Sequence, residues 1–150
     1  MWFFSRALLG AAIAGLLLAS VPLASAAVYT PQRALPADTI QQFLTNPAAL
    51  LSEFPYGGPL MITKVRDLAA SDPATLDALL GLLKSANPDQ ASAIGTALGQ
   101  VALMAIATDQ AFATQIQTEV VLSGNTYALV AFSAQWARRQ SHTPPPTGAR

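Results

Sequence analysis

The side chains able to do chemistry are few in this chain, and they are widely spaced. There is no cysteine among its 150 residues and a single histidine, His142. A general base must be held against its substrate, and His142 is followed closely by Pro144-Pro145-Pro146, a stretch expected to be disordered or polyproline-like. That placement argues against a Ser-His-Asp arrangement. Without thiolates and with one histidine, a zinc site would need carboxylates almost alone, an unusual set. No Gly-rich loop follows a strand-like run, so phosphate and dinucleotide cradles are not expected. We therefore expect no cofactor and no metal site.

Paired carboxylates are the remaining route to catalysis, since glycoside hydrolysis needs neither His nor Cys. Glu53 and Glu119 are the candidates. Glu53 stands beside Phe54 and Tyr56, which could shape a small aromatic pocket. The aspartates Asp38, Asp72, Asp89 and Asp109 all fall where helices are expected to start, where the macrodipole and free N–H groups favour negative charge. Two further clusters suit binding. Lys64, Arg66 and Asp67 follow the Gly57-Gly58-Pro59 loop and would face an anionic group. Trp136 with Arg138 and Arg139 pairs an aromatic ring with cations, as interfacial membrane anchors do. The plainer reading of that trio is a core Trp136, with arginines offsetting the negative end of a helix.

The N-terminus carries an address. Arg6 precedes an apolar run from Ala7 to Val21, then Pro22 and the small residues Ala24, Ser25 and Ala26. A charged start, a hydrophobic middle and a small-x-small exit form a secretory signal peptide. Ala24 and Ala26 suit the shallow subsites of a signal peptidase, placing the cut before Ala27. The run to Ala19 is shorter than the roughly 20 residues of a spanning helix. The expected organisation is a signal peptide at 1–26, an extended arm at 27–35, a helical domain at 36–140 and a Pro-rich tail at 141–150.

Losing Arg6 would leave seven basic residues against eight acidic ones. Such a surface lacks the basic stripe needed for nucleic acid. With no disulfides, a domain in an oxidising compartment must hold together by packing.

Helix signals dominate the rest. Asn46-Pro47, Asp72-Pro73 and Asn87-Pro88 each offer an N-cap followed by proline at the first helical position. Gly124 suits a left-handed C-cap. Leu76, Leu79, Leu80 and Leu83 repeat at helical spacing, as do Phe112, Ile116 and Val120. Leu129, Phe132 and Trp136 share one face. The segment 91–107 is apolar on nearly every side and belongs at the centre of a bundle. Its Gly95 and Gly99 lie one turn apart and form a surface for close helix packing, within the chain or between copies. A membrane-dimerisation reading of Gly-x-x-x-Gly is weakened by Gln100. These signals predict an all-α bundle of five or six short helices centred on residues 88–107, with a short α-solenoid-like array as the alternative.

Asn46-Pro47, Gly57-Gly58-Pro59, Asp72-Pro73 with Leu76, and Ala93-Ile94-Gly95 with Leu98-Gly99-Gln100 together resemble small alanine-rich exported proteins of Gram-negative bacteria. The resemblance spans Pro47 to Val101. It implies export and helicity, and it transfers no functional residue. The expected role is a non-enzymatic periplasmic or secreted protein that binds an envelope partner or itself. Peripheral attachment to a membrane surface through Trp136, Arg138 and Arg139 is the second expectation, and a carboxylate hydrolase the third.

Overall fold

A computed structural model describes residues 27–141. The expected signal peptide, with Ala24 and Ala26, and the tail from His142 onward lie outside the described residues. Within them the chain forms seven α-helices. These are α1 (Ala37–Thr45), α2 (Ala49–Glu53), α3 (Pro59–Ser71), α4 (Thr75–Leu82), α5 (Pro88–Ala105), α6 (Gln110–Leu122) and α7 (Thr126–Ser141).

The bundle is built around α5. Ala91, Ile94, Ala97, Leu98, Val101 and Ala102 are fully buried and point in different directions around the helix. Accordingly α5 packs against α3, α6 and α7 at once, which is why its polar line is narrow, running through Asp89, Ser92, Thr96 and Gln100. A helix with three unlike neighbours is not the unit of a solenoid, whose repeats touch only the next in line. Met61, Val65 and Leu68 of α3, Leu76 and Leu79 of α4, and Phe112, Ile116 and Val120 of α6 complete the core.

There are seven helices among the described residues, one more than the five-or-six count allows, because the chain also breaks between α1 and α2. Proline at 47 interrupts α1, and Asn46 is its C-cap rather than the N-cap of the next helix. Asp38 also makes no capping hydrogen bond. It lies in the first turn of α1, where the dipole still favours it. At Asp72 the side chain accepts from Ala74 N–H at 2.9 Å, an Asx turn that precedes α4 by two residues. Helix α4 stops at Leu82 and the chain continues to Ala86 in turns.

Other punctuation falls where the sequence places it. The Asn87 side chain accepts from Gln90 N–H at 2.9 Å, and the Gln90 side chain accepts from Asn87 N–H at 3.0 Å, a complete capping box with proline at N1. Asp109 accepts from Phe112 N–H at 3.0 Å to start α6. Gly124, at φ +65°, closes α6 in the left-handed conformation.

Residues 27–35, read from sequence as an extended arm, contain a turn in which Arg33 and Ala34 N–H donate to Thr30 C=O. The arm is fixed to α3. Tyr29 is buried; its N–H donates to Ala70 C=O at 2.8 Å, and its hydroxyl donates to Asp67 at 3.0 Å. Leu35 N–H donates to Ser71 Oγ at 2.8 Å.

Candidate interaction surface

The residues singled out between 27 and 141 fall at several separate places in the fold. Gly95 and Gly99 face α7 of the same chain. A Cβ built on Gly95 would lie 2.7 Å from Ala128 Cα, and one on Gly99 would lie 2.6 Å from Gln135 Cγ and 3.1 Å from Phe132 C=O. The two helices touch backbone to backbone, so this small-residue face is consumed inside the fold. It does not offer a surface to a second molecule.

Glu53 ends α2 and is exposed in a groove of about 440 Å³ between α1, α2 and α3, with Gln42, Asn46 and Lys64 among its lining. Glu119 lines a different groove, so the candidate carboxylate pair is not brought together. The expected aromatic pocket is absent as well. Phe54 packs against the core, and Tyr56 is 85% exposed at the rim of a third, shallow groove with Asp89 and Ser92.

Lys64, Arg66 and Asp67 do not act as one cluster. Lys64 turns to the Glu53 groove. Arg66 bridges to Asp67 at 3.1 Å, and Asp67 also holds Tyr29. Burial opposes the Arg66 charge, but its hydrogen bonds to Tyr29 and Asp67 outweigh that and push the guanidinium pKa up. Arg33 lies 4.7 Å from the Tyr29 ring centroid, a cation–π contact that closes the arm over this group. The cluster therefore fastens the arm to α3.

Trp136 is half-buried. Its ring sits 6.3 Å from that of Phe132 at 41°, among the residues packed on the core. Arg138 Nε donates to Ala134 C=O and Arg139 to Leu103 C=O, both at 3.4 Å. The trio is thus an inward-packed ring with two cations at the C-terminal end of α7, matching the plainer of the two sequence readings.

Exposed apolar area gathers elsewhere. Leu122 is 77% exposed, Val130 64%, Val121 57% and Tyr127 55%. Val121 and Leu122 end α6, and Tyr127 and Val130 stand on the outer face of α7. Asn125 fixes this corner: its side chain accepts from Ala128 N–H at 3.1 Å and donates to Leu83 C=O at 3.2 Å. Leu122, Ser123, Gly124 and Asn125 also border a groove of about 490 Å³ toward α4, where Asp77 and Glu119 outnumber Lys84. The sequence carries a signal for this surface: no charged residue stands between Glu119 and Arg138. A helix hairpin that displays uncharged residues to water has a surface suited to contact.

Among the described residues no three His, Cys, Asp or Glu side chains gather where they could hold a metal ion. None of the described helices is long and apolar enough to cross a membrane. No family model, no curated protein and no solved structure matches the chain.

Proposed function

We propose that this chain is an exported helical protein of the bacterial envelope that works by binding, without catalysis, and that its binding surface is the outer face of the α6–α7 hairpin. The reading of export rests on the residue pattern of 1–27. The observation that supports binding is the display of Val121, Leu122, Tyr127 and Val130 on the stretch of the hairpin between Glu119 and Arg138, which carries no charge and whose other side is engaged in the core. Isolated exposed apolar residues are ordinary, but several side by side on one rigid element mark contact surfaces.

The absence of cysteine makes the test clean. Single variants Val130→Cys and Gln41→Cys place one thiol on α7 and one on the exposed side of α1. In intact envelopes, maleimide should label Gln41→Cys readily and Val130→Cys at least about tenfold more slowly, because a contact face excludes the reagent. In dilute purified protein both should react alike. Equal labelling rates in envelopes would remove the binding surface from α7.

A further inference from the structure

We propose that the occupant of this surface is a second copy of the same chain, joined through an antiparallel pairing of two α7 helices about a two-fold axis. The proposal rests on the binding reading above and names its partner.

The outer face of α7 has the spacing of a helix seam. Tyr127, Val130, Ala134 and Ala137 stand three, four and three residues apart and are all exposed, the a/d pattern of paired helices. The larger residues stand at the N-terminal half and the alanines at the C-terminal half. An antiparallel partner reverses that order, so Tyr127 of one copy meets Ala137 of the other and Val130 meets Ala134. Large therefore packs on small at every level, and the alanines allow the axes to come close. A parallel pair would set Tyr127 on Tyr127 and leave a gap between alanines.

Charge supports the same arrangement. A two-fold axis sets a patch against itself, so charge within it would repel its own copy; this seam has none between Glu119 and Arg138. The two ends carry opposite signs. Asp77 and Glu119 border the corner where α7 begins, and Arg138 and Arg139 lie in its last turn. At 1.5 Å per residue, α7 is about 24 Å long. Antiparallel pairing then places the acidic corner of each copy beside the basic end of the other, twice over. A parallel pairing would put like charges together at both ends. Arg138 can keep its bond to Ala134 C=O while its charge faces the partner's corner.

Light scattering on the eluting mature protein, residues 27–150, tests this. At roughly 100 µM, above the micromolar Kd of a modest interface, it should elute with twice the monomer mass. Val130→Glu buries two carboxylates per dimer and should weaken association at least about 100-fold while leaving the helical circular dichroism unchanged. Glu119→Arg and Arg138→Glu should each weaken it about tenfold, and the double variant should recover it. Residues 130 and 134 face each other across the axis, so a mixture of Val130→Cys and Ala134→Cys proteins should form an intermolecular disulfide under mild oxidation, whereas Gln41→Cys should not. A monomer at that concentration, or a dimer indifferent to both Val130→Glu and the charge swap, overturns the pairing. Slow labelling of Val130→Cys in envelopes with a monomer in solution would overturn the second copy and keep a different partner, so the two readings fail separately.

Discussion

Replacing Gly95 with leucine should unfold the domain, with a loss of more than about 4 kcal/mol. The reason is geometric. Even a methyl group at this position would lie 2.7 Å from Ala128 Cα and against its carbonyl, and both are backbone atoms that no rotamer change can move. The α5–α7 pair would have to separate, withdrawing α7 from the Gly95–Gly99 face of α5 and exposing Ala128 and Phe132. Overpacking costs typically 1–3 kcal/mol where side chains can give way; here they cannot, and part of the core burial is lost too. At Gly99 the nearest atoms belong to the Gln135 side chain, so Gly99→Ala should cost less, about 1–2 kcal/mol. Urea unfolding followed by circular dichroism measures both. A Gly95→Leu protein as stable as the parent would mean that α7 does not dock as described.

Gln90→Leu should be the next most damaging change, lowering stability by about 3 kcal/mol and the midpoint of thermal unfolding by roughly 10 °C. Gln90 is buried, and its amide makes three hydrogen bonds. The Nε2 group donates to Leu51 C=O at 2.8 Å, whose helical donor would be the N–H that Pro55 lacks, and to Phe54 C=O at 2.9 Å, which also accepts from Gly57 N–H at 3.0 Å. Oε1 accepts from Asn87 N–H. Leucine matches the size and removes all three bonds at once, leaving polar atoms half out of water. Nearby, Asn87 donates to Pro55 C=O at 2.7 Å, so the same capping box clamps the loop between α2 and α3. Gly57, at φ +61° and close against Asp89 C=O, permits the loop to reach it. Gln90→Glu would keep the acceptor toward Asn87 and lose the two donors, and an intermediate destabilisation is expected.

These two residues also show how far the sequence could be read. The all-α architecture and the central place of α5 follow from a helix apolar on nearly every side, because only a helix with neighbours on most sides has so narrow a polar line. The starts at Asn87 and Asp109 and the stop at Gly124 follow from local capping chemistry, which acts within a few residues. Asp38 and Asn46 carry the same side-chain types yet neither side chain caps a helix start, since the turn beside each is settled by packing and by proline. The second roles of Gln90, Asn125 and Tyr29 span 32 residues or more along the chain. No local rule reaches that distance. Asn87-Pro88 marked the start of α5, while the part played by Gln90 went unread.

The candidate surface was less legible. Small residues at 95 and 99 point equally to a partner helix in the same chain or in another, and only the fold shows that α7 takes the place. Trp136 beside two arginines has the composition of an anchor, but its ring turns inward. Val130 and Leu122 look like core residues in sequence because apolar type alone does not say which face of a helix meets water. The stretch without charge between Glu119 and Arg138 was the available signal.

The central claim is that the outer face of α7 is where this protein meets its partner. A photoreactive amino acid placed at position 130 in the full chain, irradiated in living cells, tests it most directly. One discrete adduct is expected, absent when the probe stands at position 41, with mass spectrometry of the adduct identifying what was captured. Irradiation that yields no adduct at 130, or the same products from 130 and 41, would contradict it.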